Sequence, residues 1–215
     1  MTVDRIKIGG KTGDGDPVHL SPWTFEVPQI KEIVEQWLHG EVLNACAGKT
    51  KLDHDGAIHR NDIDPDRDAD THYDVREIDE HLKHERFDTV VFDPPYTKEM
   101  AERHYNGNHI GRKWEPRGSI ANVTAPGGHV LTFGYNSDGF DGWTGWERIA
   151  TYYFRTPNYS GFDIALCVDR KGGSAPIVRD VPELTEQATL DFATDWGNNR
   201  SVEPGTDCSE GGESP

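Results

Sequence analysis

Asp93-Pro94-Pro95-Tyr96 is the stretch whose residue types suit chemistry at a planar amino group. The acid accepts hydrogen bonds, and the Pro94 carbonyl is a second acceptor. Neither proline donates a backbone hydrogen bond, so the pair stops a strand or helix and makes a stiff corner. The Tyr96 ring offers a stacking face. An exocyclic amino nitrogen is a weak nucleophile because its lone pair is delocalised into the ring. Two acceptors on its hydrogens favour a pyramidal nitrogen, and the Asp93 carboxylate stabilises positive charge developing there. Upstream, Phe87-Asp88-Thr89-Val90-Val91-Phe92 is rich in β-branched and aromatic residues and reads as a buried strand. The acid therefore falls just past the carboxyl end of a strand, where open α/β sheets bind ligands.

Other elements must position that corner. Ile30, Ile33, Val34, Trp37 and Leu38 share one helical face, with Pro28 suited to the first turn and Gly40 to the stop. Val42-Leu43 begins a strand that runs into the small residues Ala45, Ala47 and Gly48, which let backbone approach a ligand closely. Residues 57–65 read as a second strand ending in acid. Asp62 lies 14 residues after Gly48, placed to hydrogen-bond both hydroxyls of a ribose. Ala47-Gly48-Lys49-Thr50 also mimics the end of a phosphate-binding loop, but that motif needs glycine where Leu43 stands. Later strands are expected at 127–133, 146–154 and 163–168, the last two as a hairpin.

Asp-Pro-Pro-Tyr after a hydrophobic strand resembles motif IV of the S-adenosylmethionine (SAM)-dependent amino-methyltransferases, which methylate adenine N6, cytosine N4 or related nitrogens. The segments upstream resemble the family's other motifs in order. Residues 22–38 resemble motif X, and Asn44, Ala45, Ala47 and Gly48 fall in a motif I that cradles SAM. Asn44 stands there for the common acid, and Lys49-Thr50 for a second small-Gly pair. Asp62 takes the ribose-binding place of motif II. Asp74 takes the place of motif III, an acid after the third strand that meets the adenine amino group. Asp93, Pro94, Pro95 and Tyr96 are the implied catalytic residues, with no metal required. The resemblance implies the class I methyltransferase fold, an α/β sandwich with a seven-stranded, mostly parallel sheet and an antiparallel last strand. Asp rather than Ser before Pro-Pro-Tyr points to adenine N6 in DNA. Small rRNA methyltransferases acting on guanine N2 or adenine N6, glutamine-N5 protein methyltransferases, and a SAM-binding protein without activity share the pattern and stay open.

Residues 97–118 carry Lys98, Arg103, Arg112, Lys113 and Arg117 against three glutamates, interleaved with Tyr105 and Trp114. Basic residues among aromatics suit phosphate and base contacts, so Lys98, Arg103, Arg112, Lys113 and Trp114 are the expected nucleic-acid contacts. Target recognition then comes from this segment or from a partner protein. The segment stands out in a chain with 38 acidic and 22 basic residues and a net charge of −16. Such a surface, with Arg outnumbering Lys, is expected of a salt-loving source. Three widely spaced cysteines and the lack of a signal peptide or membrane span point to a reducing cytoplasm. The expected organisation is a loop-rich extension over 1–21, the catalytic domain over 22–171 and an acidic, partly disordered tail over 172–215.

Overall fold

The computed structural model describes residues 1–8, 23–105, 107, 110, 114–155 and 163–173. The chain divides into two units, Met1–Glu183 and Leu184–Pro215. The second, and with it the expected tail from 174 onward, lies outside the described residues.

In chain order the elements are β1 (Thr2–Lys7), α1 (Pro28–Trp37), β2 (Val42–Asn44), β3 (Ile58–Arg60), α2 (Ile78–His81), β4 (Phe87–Phe92), α3 (Lys98–His104), α4 (Trp114–Val123), β5 (Thr124–Gly134), β6 (Trp146–Arg155) and β7 (Ile164–Lys171). The seven strands form one sheet in the order β1-β6-β7-β5-β4-β2-β3. β7 runs antiparallel to both β5 and β6, and every other pairing is parallel. This is the α/β sandwich with an antiparallel last strand that the resemblance implies.

Two expectations change. Residues 2–7 are a strand rather than loop. β1 adds to the edge of the sheet beside β6, burying Ile6 while Val3 stays exposed. Charged residues at Asp4, Arg5 and Lys7 hide the alternation, as they do on edge strands generally. The expected third strand near Thr71 does not form. That segment makes one isolated bridge, Asn61 to Thr71, and the sheet ends at β3. The count of seven is kept because β1 replaces it.

Alternation along the strands sorts the core into two layers. On one face α1 buries Ile30, Ile33, Val34 and Trp37. Trp37 Nε1 donates to the Tyr152 hydroxyl at 3.1 Å, and Phe25 meets Phe133 edge-on at 5.6 Å. On the other face Leu43, Val90, Phe92 and Val130 pack with Ile78, Leu82, Ile120, Val123 and Phe140. No helix among the described residues is long and apolar enough to cross a membrane.

A buried ion pair fastens the β5–β6 connection. The fully buried Asp169 carboxylate accepts from Arg148 Nε at 2.5 Å and from the Phe140 N–H at 2.8 Å. Arg148 also donates to the Ser137 carbonyl at 3.2 Å and to Asp141. Gly139 is required here, since a Cβ would overlap the Asp169 carboxylate. Burial holds the Asp169 carboxyl above the usual range even with the guanidinium beside it. Arg148→Met therefore leaves a buried charge without its cation and is expected to cost roughly 3–5 kcal/mol in urea unfolding. The double variant Arg148→Met/Asp169→Leu regains some of that loss, because no buried charge is left. Equal midpoints for wild type and Arg148→Met would show that the pair does not hold the connection.

Candidate functional site

The parallel strands β2, β3 and β4 end on the same side, and the loops leaving them wall a cleft of ≈ 1020 Å³, its open mouth included. The loop after β2 supplies Ala45 to Thr50. The loop after β3 supplies Asn61 to Asp64, and the following segment supplies Tyr73 to Arg76. β4 contributes Asp93 and Pro95, while Trp23, Thr24, Phe25 and Tyr105 close over from the other side.

The loop after β2 is shaped by hydrogen bonds rather than by a helix. Gly48 has φ of +55°, and a Cβ there would sit 3.3 Å from the Trp23 ring. A side chain at 48 is thus disfavoured twice, by conformation and by space. The Gly48 N–H donates to Asp62 Oδ2 at 2.8 Å, and the Asp64 N–H donates to Asp62 Oδ1 at 3.0 Å. Arg60 donates to the carbonyls of Thr50 and Gly48, each at 3.2 Å, and to that of Asp68 at 2.9 Å. This arrangement disposes of the phosphate-loop reading. Leu43 is buried inside β2, and no helix begins at Lys49-Thr50 to aim its N–H groups at a phosphate.

Asn61 joins the walls. Its buried side-chain amide donates to the carbonyls of Ala45 at 3.1 Å and Tyr73 at 3.0 Å. Its oxygen accepts from the Tyr73 N–H and the Thr71 hydroxyl, both at 2.9 Å. The full hydrogen-bonding capacity of the amide is used.

The structure brings seven of the ten expected catalytic and cofactor-binding residues to one place. Ala45, Ala47, Gly48, Asp62, Asp74, Asp93 and Pro95 line the cleft. Asn44 does not. It is the last residue of β2, and alternation turns it to the face opposite Leu43, where it is fully buried. Neither its amide nitrogen nor its oxygen has a hydrogen-bond partner among the described residues. Pro94 is buried at the corner, outside the lining. Tyr96 also stands outside it. Its hydroxyl donates to Asp93 Oδ1 at 2.7 Å, and its ring meets Tyr135 edge-on at 4.8 Å. Asp74 is held by Arg76 through contacts of 2.5–3.1 Å, and that bonding lowers its pKa.

The basic segment is less gathered. Lys98 and Arg103 are exposed on α3, and Lys98 lies 3.6 Å from Glu102. Trp114 opens α4, and Arg112 and Lys113 lie outside the described residues.

Several lining residues went unassigned in the sequence. Cys46 sits between the expected Ala45 and Ala47. Its thiol is pushed well up by burial first, then by the negative charge of Asp62, Asp93 and Asp74. Tyr105 is raised by burial, then by Asp93, Cys46 and Asp62. Asp62, Asp74 and Asp93 thus set carboxylates around Cys46, with Lys49 and Arg76 the cations of the same lining. Trp23 stands at the mouth, edge-on to Tyr105 at 5.3 Å, with Lys49 at 5.2 Å and Arg67 at 5.0 Å from its ring centre. The sequence placed it only within the segment that resembles motif X, with no role of its own.

No protein-family model matches the chain, and no curated protein sequence does. Among solved structures, the chain is similar to TrmN from Thermus thermophilus, with 15% identity, TM-score 0.48, and coverage of 70% of this chain and 50% of that one. It is similar to a methyltransferase homolog protein from Pyrococcus horikoshii at 13% identity and TM-score 0.44, covering 61% of each chain. The N-methyltransferase NodS from Bradyrhizobium japonicum WM9 gives 12% identity and TM-score 0.37, covering 61% of this chain and 84% of that one. The match thus spans half the length of TrmN and about three fifths of the Pyrococcus protein.

The Asn61 amide makes a testable demand on the cleft. Asn61→Ala strands backbone groups of Ala45 and Tyr73 and is expected to cost about 2–4 kcal/mol in urea unfolding. Asn61→Asp keeps the shape but sets oxygen against both carbonyls, and is expected to cost at least as much. A wild-type midpoint for Asn61→Asp would show that the amide donors do not hold the walls together.

Proposed function

We propose that the cleft binds SAM and that the protein transfers its methyl group to an exocyclic amino nitrogen of a nucleic-acid base, adenine N6 in DNA before other targets. One observation carries the reading. The Asp93-Pro94-Pro95 corner follows β4 directly and presents Asp93 to a cleft whose floor is the Ala45–Gly48 loop.

The residues present fit the cofactor. Ala45, Ala47 and Gly48 leave backbone exposed to a close ligand, with Gly48 held where a side chain is disfavoured. The carboxylates of Asp62 and Asp93 in the lining complement a sulfonium and an ammonium group. Asp62, two residues past β3, lines the cleft, and each of its oxygens, already accepting one backbone N–H, keeps a lone pair for a ribose hydroxyl. Asp74 gives its oxygens to Arg76, so an adenine ring at that wall meets an ion pair rather than a lone acid. The bound cofactor supplies an activated methyl group. The protein supplies placement and charge. Asp93 accepts from the amino group and stabilises the charge that develops on its nitrogen. Holding both reactants in line supplies much of the remaining acceleration. A base must leave its stack to reach this corner, and unstacking costs about a few kcal/mol. Exposed Lys98 and Arg103 on α3, just past the corner, support a phosphate-bearing substrate.

The test is a transfer assay in molar KCl with radiolabelled SAM. Duplex DNA, single-stranded DNA and rRNA are offered separately and digested to nucleosides. Label in N6-methyladenine from DNA is the expected outcome, and label in RNA alone would move the protein to an RNA-modifying role. Asp93→Ala is expected to lower transfer by at least 100-fold while leaving SAM affinity within a few-fold of wild type. Absence of both SAM binding and transfer in the wild type would overturn the reading.

A further inference from the structure

We propose that Tyr96 positions the Asp93 carboxylate through its hydroxyl, as the middle member of a Thr24–Tyr96–Asp93 hydrogen-bond chain. The inference rests on the reading of Asp93 as the group that meets the substrate nitrogen. It gives Tyr96 a role different from the stacking ring that the resemblance implies.

The directions of the chain follow from proton counting. An ionised carboxylate only accepts, so the 2.7 Å contact to Asp93 Oδ1 uses the single Tyr96 proton. The Thr24 hydroxyl, 3.3 Å from the Tyr96 oxygen, then has to donate to it. Each donor polarises the next, and the chain points its positive end at the acid. Burial, and after it the Asp93 charge, push the Tyr96 phenol well above its ordinary range. The phenol therefore keeps its proton at neutral pH and is available as the donor.

Packing fixes both ends. Thr24 begins a short 3-10 turn whose Phe25 is buried against Phe133. The Tyr96 ring is set edge-on to Tyr135, at 65° between planes. The hydroxyl thus locks the rotation of the carboxylate at a corner whose backbone the two prolines already stiffen. Tyr135 against the Tyr96 ring, and Cys46, Tyr105, Asp62, Asp64, Tyr73 and Asp74 along the cleft, are the other titratable groups near this corner among the described residues, with Lys49, Arg76 and Arg67 the nearby cations.

The first readout needs no turnover. The Asp93 side-chain carboxyl carbon is followed by ¹³C NMR from acid to neutral pH, assigned by its loss in Asp93→Asn. Removing a donor from a carboxylate disfavours the charged form, so Tyr96→Phe is expected to raise the titration midpoint by about one pH unit. Thr24→Val is expected to move it the same way by less. The second readout is methyl transfer. Tyr96→Phe is expected to lower kcat about tenfold with the KM for SAM unchanged, and the acid limb of its pH profile moves up with the midpoint. An unmoved midpoint, with wild-type kcat for Tyr96→Phe and a loss only for Tyr96→Leu, would overturn the proposal and leave the ring as the working group. A wild-type protein that transfers no methyl group would sink the functional reading instead, while the NMR midpoint still decides the role of the hydroxyl.

Discussion

The cleft depends on one buried amide. Asn61 follows β3, the last strand of the sheet, where the ladder has no further partner to order what comes next. Its four hydrogen bonds reach the loop after β2 on one side and residues 71 and 73 on the other. A further strand would satisfy such backbone groups by pairing. Here a side chain does it, and the wall that carries Tyr73 and Asp74 is hung from that side chain. The preceding residue, Arg60, has a matching role. Its guanidinium collects three carbonyls, and two of them, those of Gly48 and Thr50, are ones that a helix after β2 would have satisfied internally. Two adjacent polar residues therefore stand in for two missing elements of regular structure.

Charge acts differently at the surface and in the cleft. Pairs such as Lys51–Asp68 and Lys98–Glu102 are largely exposed, and salt screens them within a Debye length of ~8 Å or less. The repulsion among the many surface carboxylates is screened by the same ions. Half-buried Asp62 and Asp93 are shielded less, so the negative field in the cleft survives conditions that flatten the field outside. A cationic ligand would feel that difference most. A polyanionic one would gain from screening of the acidic surface and lose from screening of Lys98 and Arg103.

The sequence was most legible where chemistry and local pattern agree. The helix of α1 followed from apolar spacing and Pro28, and β4 followed from its β-branched run into two prolines. Ala45, Ala47, Gly48, Asp62 and Asp93 were named from residue type and order and Asp74 from the resemblance to motif III, and all six line one cleft. Asn44 could not be placed this way, because its direction depends on whether β2 ends at 44 or 43. A one-residue difference turns a side chain to the opposite face. β1 was hidden by charges on an edge strand. The missing third strand was hidden because Thr71-His72-Tyr73 has strand-like composition while its hydrogen bonds go to Asn61. Asn61 itself gave no signal beyond being polar next to an acid.

The acid corner shows where a local motif stops determining its own geometry. The two prolines fix the backbone from 94 to 95, but they leave the torsions of the Asp93 side chain open. Those are set by Tyr96, and the Tyr96 hydroxyl is in turn met by Thr24, 72 residues earlier in the chain. Thr24 is held there by its own short turn and by the next residue, Phe25, which is buried on Phe133 in β5, beyond the corner in sequence. Three segments far apart in the chain thus converge on one carboxylate. The order in which β4 and β5 pair, and the side of the sheet on which α1 lies, decide whether that convergence happens. The motif supplies the reacting group, and the topology supplies its aim.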